Sequence, residues 1–274
     1  MTKLLAVMVP GLIETDADEV LPLASAGKLL LLAEIARELA DGRIEAREEL
    51  TIDPEDYCGG SGLLTGLSPR RWTIGDLARL TAAVSDNTAT NALIRRIGLD
   101  RVNEGAKDLG LRRTRILDRI REPRLLSHPP TFALGTAREA AALAGRLAGA
   151  EPWARTVLDW LALNTDRTMV AATIPHDPEE RGVRETPTLR VRETSRVRES
   201  AGPHRVLRVA NKTGTDAGIR ADVGVVRGER TLCYAVIGSC TPGDEQRLVS
   251  GMRAVGVLIA HHLAPVTPVA PVPA

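Results

Sequence analysis

The hydrophobic positions along the chain follow two rhythms, one helical and one extended. From Ser25 to Leu39 the sequence is rich in Leu, Ala, Glu and Lys, and Leu29 to Ala33 is apolar all round. That pattern predicts a buried helix rather than a surface one, and Asp41-Gly42 supplies its stop signal. A second helix is predicted from Thr73 to Val84, where Thr73 and Asp76 form a near capping box. Thr88 to Ile97, ended by Gly98, reads as a third. Further helical patterns cover Arg101 to Leu109, Thr136 to Leu147, Trp153 to Leu163 and Asp244 to His262. Short apolar runs at Val206 to Ala210, Ala221 to Val226 and Thr231 to Ile237 predict three antiparallel strands. A first strand is expected within Met1 to Ile13.

Helices placed between one early strand and a late run of strands imply an α+β fold. Its antiparallel sheet is formed by both chain ends and covered by helices, and the middle of the chain adds an all-helical lobe. At 274 residues the chain suits a single large domain, expected over 1–264. Within it, an α/β lobe is expected from about 1–40 and 205–264, and a helical lobe from about 41–177. Residues 43–71 are turn-rich. Between 178 and 204 a loose repeat, Val183-Arg184-Glu185-Thr186, Val191-Arg192-Glu193-Thr194 and Val197-Arg198-Glu199-Ser200, balances its charges and has no buried face. It is expected to be a solvated insertion, and the Pro/Val/Ala tail 265–274 a disordered end.

Composition narrows the function classes. With 43% hydrophobic and 26% charged residues this is an ordinary globular chain. A net charge of +1 gives no reason to expect a nucleic-acid or membrane partner, and one Phe, two Tyr and three Trp make a base-stacking platform improbable. Three cysteines (Cys58, Cys233, Cys240) and scattered histidines show no metal-ligand spacing, so neither a metal nor a cofactor is expected. Cys233 and Cys240 are spaced to pair across a hairpin, but free thiols are the simpler reading. No segment reaches the ~20 apolar residues that span a bilayer. The start is interrupted by Pro10-Gly11 and followed by acidic residues, so it carries no convincing export signal and a cytoplasmic location is expected.

Three short motifs carry the candidate chemistry: Ser25-Ala26-Gly27-Lys28, Ser85-Asp86-Asn87 and Lys212-Thr213-Gly214. SxxK alone is expected about once in a chain of this size, whereas SDN and KTG are each expected at roughly a few hundredths. Their joint occurrence by accident is on the order of one in a thousand. A serine hydroxyl is a weak nucleophile near neutral pH and needs a base within reach. Positions three apart on a helix share a face, so Lys28 is expected to point its amine at the Ser25 oxygen, with burial and Lys212 depressing its pKa.

With these three motifs the sequence resembles class A β-lactamases and their serine-hydrolase relatives over nearly its whole length. Val84-Ser85-Asp86-Asn87-Thr88-Ala89-Thr90-Asn91 is especially close, as are Asn211 before KTG and Gly218-Ile219-Arg220-Ala221-Asp222-Val223 after it. The resemblance implies a β-lactamase/transpeptidase-like fold and a small-molecule substrate, a β-lactam or a peptide or amide with a free carboxylate. Ser25 would be the acylated nucleophile, Lys28 the base, and Ser85 the proton relay. Asn87 would orient substrate and Lys28. Lys212, Thr213 and Gly214, with Arg220, would form a carboxylate subsite. The backbone N–H groups of Ser25 and Thr215 would form the oxyanion hole.

Two departures weaken the carry-over. The family's water-activating carboxylate is matched best by Glu122, in Arg121-Glu122-Pro123-Arg124-Leu125-Leu126, but Leu126 stands where the family usually has Asn. Slow release of the acyl group, or a different natural substrate, is therefore expected. Only 24 residues precede Ser25, so the N-terminal part of the sheet is expected to be reduced. Each residue also has a purely structural reading: Ser25 as a helix N-cap, Lys28 as a surface lysine, SDN as capping, and KTG as an edge strand entering a turn. Rival functions are a penicillin-binding or DD-peptidase-type enzyme, a cytoplasmic esterase or amidase, and a non-catalytic protein that kept the fold.

Overall fold

The computed structural model describes residues 4–176 and 207–263. The expected insertion at 178–204 and the tail at 265–274 lie outside the described residues. The chain opens with strands β1 (Leu4–Val9), β2 (Ile13–Thr15) and β3 (Leu21–Pro22), then helix α1 (Lys28–Ala40). Strands β4 (Glu49–Thr51) and β5 (Arg71–Thr73) precede α2 (Ile74–Ala83), α3 (Asn87–Ile97) and α4 (Leu99–Asp108). Next come β6 (Arg115–Ile116), β7 (Ala133–Gly135), α5 (Ala137–Leu147) and α6 (Pro152–Ala162). Strands β8 (Arg208–Asp216), β9 (Ile219–Arg227) and β10 (Thr231–Ser239) lead into the last helix, α7 (Glu245–Leu263).

The main sheet has the order β2-β1-β10-β9-β8, and every pairing in it is antiparallel. Both chain ends do build it. The early strands contribute β1 and the short β2, which sit at one side while β8 forms the opposite edge. Alternation sorts the sheet's side chains onto two faces. Ala6, Ala221, Val223, Val225, Ala235 and Ile237 join the larger core with residues of α1, α5 and α6. Val7, Val9, Val209, Val226, Tyr234 and Val236 join a second core with Met252, Val255 and Ile259 of α7.

Helix α1 is buried on nearly all sides, as its apolar run requires, with Leu31, Leu32 and Ile35 fully enclosed. The predicted Thr73 cap is in place. The Thr73 hydroxyl accepts from the Asp76 amide to open α2, and Thr136 does the same for α5 through Glu139. The turn-rich stretch contains the small β4–β5 ladder as well as turns. None of the three cysteines forms a disulfide, so Cys233 and Cys240 do not pair.

Two glycines let three segments meet closely enough to make a site. A Cβ on Gly214 of β8 would lie 2.2 Å from the Leu23 carbonyl oxygen and 2.7 Å from the Ala26 nitrogen. A Cβ on Gly27 would lie 2.3 Å from that of Ala133. The edge strand is thus pressed, backbone against backbone, onto the turn that carries Ser25. Gly214→Ala is expected to destabilise the protein by about 1–3 kcal/mol, because the obstructing atoms are main chain and cannot rotate away. Urea unfolding measures this. A midpoint equal to that of the parent protein would show that the strand and the turn are not tightly apposed.

Candidate active site

Ser25 lies in a short 3-10 turn, Ala24–Gly27, that runs directly into α1. It does not cap the helix, because the N-cap position is Gly27 and no side chain caps it. That removes the capping reading of Ser25. Among the described residues only Asp16, Ala24 and Ser85 are non-glycine residues with positive φ, at 47°, 43° and 57°. Two of the three sit at this site. Such backbone is costly, about 1–3 kcal/mol each, and persists only where the surroundings impose it.

Ser25 lines a cleft of about 160 Å³ shared with Ser61, Ser85, Asn164, Thr165, Asp166, Thr213 and Thr215. Beneath it lie two lysines, Lys28 and Lys212, both 0% exposed. The surface-lysine reading of Lys28 therefore fails. Lys28 Nζ donates to the Ser85 carbonyl at 2.6 Å and to Asn87 Oδ1 at 2.7 Å, and meets Ser85 Oγ at 3.0 Å. Lys212 Nζ donates to the Thr213 carbonyl at 2.9 Å and to the same Ser85 Oγ at 3.0 Å. Among the described residues Lys28 makes no hydrogen bond to Ser25, contrary to the direct contact expected from helical spacing. Its contacts run to Ser85 and Asn87 instead.

Electrostatics set the protonation states. Burial, and then repulsion from Lys212, hold the Lys28 amine well below the ordinary lysine range. Burial brings Lys212 down to about 8, with Asp166 and Asp222 opposing. Burial and Lys212 thus favour the neutral form of Lys28, while Asp166 and Asp222 favour the charged form of Lys212. A neutral amine has two N–H donors and one lone pair. Two carbonyl oxygens take the donors of Lys28, which leaves its lone pair to accept from the Ser85 hydroxyl. Lys212 donates to that hydroxyl from the other side. With Lys28 neutral, these contacts make a directed chain from Lys212 through Ser85 to Lys28.

The SDN turn serves two purposes. Asp86 caps α3 by accepting from the Ala89 amide at 2.8 Å, and its other oxygen accepts from the amides of Leu63 and Leu64. Capping is thus the role of Asp86, whereas Ser85 and Asn87 face Lys28. Asn87 Nδ2 also donates to the Gly59 carbonyl at 2.7 Å, which ties the loop over the cleft to the same turn. On β8, Asp216 and Ile219 close a two-residue turn, Ala217-Gly218. Ladder alternation then directs the main-chain groups of Thr213 and Thr215 outward from the sheet edge, into the cleft. An outward Thr215 N–H, beside the Ser25 turn, suits an oxyanion donor.

Two predicted residues are placed differently. Arg220 lies directly across from Thr215, but its Nη1 donates to the carbonyls of Asp216 and Ile219 and it does not line the cleft. Short main-chain acceptors at the hairpin end capture the guanidinium. Glu122 is exposed and does not line the cleft either. Its side chain lies near Gly59, where a Cβ would be 4.0 Å from Glu122 Cγ. Leu126 is fully exposed, at 107%. The loop that holds them is moored upstream, where Asn91 exchanges hydrogen bonds with the main chain of Ile120.

Sequence reasoning missed Asn164, Thr165 and Asp166, which follow α6 and form the wall opposite Ser25. Asn164 donates to Asn211 Oδ1 at 3.0 Å, and Asn211 in turn donates to the buried Asp222 at 2.9 Å. Tyr234 also donates to Asp222, at 3.0 Å. This network fixes the wall against β8. The only sequence signal was a polar Asn-Thr-Asp stretch after a helix end, which says nothing about the side it faces. Among the described residues no group of three or more His, Cys, Asp or Glu side chains converges to hold a metal ion. No helix among them is long and apolar enough to cross a membrane.

Residues 10–263 match the model of a family described as the beta-lactamase enzyme family. No curated protein matches. Among solved structures, a β-lactamase from Sphaerobacter thermophilus superposes with a TM-score of 0.76 at 22% identity, covering 96% of this chain and 93% of that one. PBP-A gives 0.74 at 22% identity, over 95% and 89% of the two chains. A class A β-lactamase from Mycobacterium abscessus gives 0.73 at 19% identity, over 95% and 93%. At these identities the likeness shows the fold, which is the β-lactamase/transpeptidase-like one.

Lys28, buried and 3.0 Å from Ser85 Oγ, is the candidate base. Lys28→Met keeps much of the stem volume but removes the amine. It is expected to slow reaction of Ser25 with a fluorophosphonate by about 10²- to 10⁴-fold. Intact-mass spectrometry over time follows the adduct, and thermal unfolding checks that the variant is folded. A rate within tenfold of the parent protein would remove Lys28 from the chemistry.

Proposed function

Because the chain belongs to the β-lactamase enzyme family, we propose that it is a serine hydrolase that forms an acyl-enzyme on Ser25, taking β-lactams or related amides in the manner of class A. One observation carries this reading: a single hydroxyl, that of Ser85, lies 3.0 Å from both buried lysine amines at the edge of the Ser25 cleft. Ser25 Oγ attacks the amide carbonyl, and its proton passes to the neutral Lys28. The oxyanion settles between the N–H groups of Ser25 and Thr215, where fixed donors act without reorganisation. The leaving nitrogen takes a proton from the Ser85 hydroxyl, which Lys28 replenishes. Bond breaking and proton transfer then balance. An ester on Ser25 remains for water to release.

Release is the weak step. Water activation requires a carboxylate facing the acyl group, and Glu122 is exposed outside the cleft lining. That favours a second reading close to the first, a penicillin-binding or DD-peptidase-type enzyme that acylates readily and deacylates slowly. PBP-A, in one solved form, is described as an acyl-enzyme complex with penicillin G. A chromogenic cephalosporin separates the two readings. Steady turnover supports a β-lactamase, while a burst equal to the enzyme concentration supports the second.

A penicillin panel followed by mass spectrometry should find an adduct at Ser25 that Ser25→Ala abolishes. Failure of any acylating probe to label Ser25 would leave only a non-catalytic protein of this fold. Acylation should also weaken as pH rises through about 8, where Lys212 loses its proton and the site its cation. Lys212→Arg, whose charge persists to higher pH, is expected to move that alkaline limb upward by more than one unit. A limb that stays in place would assign it to another group.

A further inference from the structure

Asp166 stands on the cleft wall with Ser25, Thr213 and Thr215. Its Oδ1 is held by the Thr168 amide at 3.1 Å and the Thr168 hydroxyl at 2.7 Å. Its own amide donates to Asn164 Oδ1 at 3.1 Å. Burial alone would raise its pKa, but hydrogen bonding to Thr168 and Thr213, with the Lys212 charge, outweighs that and holds the carboxyl below its usual range. It is an anion at neutral pH. Asp166 therefore engages the two groups, Thr213 and Lys212, that the carboxylate subsite would offer to substrate. Arg220, the other cation expected there, spends its guanidinium on main-chain carbonyls.

We propose that Asp166 is a specificity-determining residue that turns this subsite against free carboxylates, so that the preferred substrates are amides or esters bearing an uncharged or cationic group where a penicillin bears its carboxylate. The argument is charge placement. A substrate carboxylate lying against Thr213 would approach a fixed, partly desolvated anion, and like charges at such range repel strongly at protein-like dielectric. An ester or amide in the same position meets a hydrogen-bonding wall without that repulsion. The inference rests on Ser25 being the acylated nucleophile, as proposed above.

The test compares benzylpenicillin with its methyl ester, which differ by the charge and one methyl group. The second-order acylation constant of Ser25 is measured by mass spectrometry for each compound. The parent protein is expected to react faster with the ester. Asp166→Asn is expected to raise the carboxylate-to-ester ratio by about tenfold or more. Asp166→Ser, which removes the charge with a smaller group, gives the same reading should the amide variant fail to fold. A ratio unchanged or lowered in both folded variants overturns the proposal, as does a parent protein that prefers the free acid. Ester acylation at Ser25 with no change of ratio sinks only the role of Asp166. Loss of labelling by both compounds and by a fluorophosphonate sinks the nucleophile reading itself.

Discussion

One hydroxyl held between two buried amines is the constraint on which the site depends. Each amine nitrogen is 3.0 Å from Ser85 Oγ, so the two lie at most about 6 Å apart. At that range two ammonium ions repel by about 3 kcal/mol at an effective dielectric of about 20. Both are wholly buried, and desolvation disfavours the charged form of each. The fold resolves this by keeping one charge. Asp166 and Asp222 support the charge on Lys212, while burial and Lys212 press Lys28 towards the neutral amine. Placement thus biases one amine of the pair towards the form that can accept a proton, with no group of unusual intrinsic basicity.

Such placement is demanding because the three motifs come from distant parts of the chain. The Ser25 turn must meet β8 at its edge, and Gly214 permits a backbone contact that any Cβ would prevent. The SDN turn must hold Ser85 in left-handed backbone, and Asp86 stabilises that turn by capping α3 and binding two loop amides. Ala24 is likewise forced into positive φ beside Ser25. Strain of this kind is sustained by the rigid elements on either side. A fully buried α1 and a sheet covered on both faces provide them.

Much of this was legible in the sequence because it rests on local rules. The buried face of α1, the Thr73 cap, the Gly98 stop and the β9 and β10 strands follow from periodicity and capping chemistry. SxxK, SDN and KTG named the residues that meet, since motif spacing encodes a chemical requirement. What stayed hidden depends on direction in space. Spacing places Lys28 on the Ser25 face but does not reveal that Ser85 and Asn87 take its hydrogen bonds. Arg220 has the right register beside Thr215, yet the carbonyls at its hairpin end claim it. Asp166 could not be found at all, because a polar loop after a helix has no periodic face to read.

The cleft is uneven in how firmly its two chemical steps are supported. Everything that acylation requires hangs on secondary structure: Ser25 on the turn into α1, Ser85 and Asn87 at the start of α3, and Lys212 to Thr215 on β8. The groups that release would require lie on a loop anchored through Asn91 and Ile120, with Glu122 and Leu126 exposed beyond that anchor. Positions on helices and strands are fixed by ladders and cores, whereas a loop carboxylate keeps its aim only where contacts hold it. Here the contacts beyond the anchor, Arg124 to the Pro129 carbonyl and Leu125 with His128, stay within the loop, and Glu122 is left exposed. The elements that would serve acylation in the proposed mechanism are thus better fixed than the loop that would serve release, and slow deacylation is the behaviour this asymmetry favours.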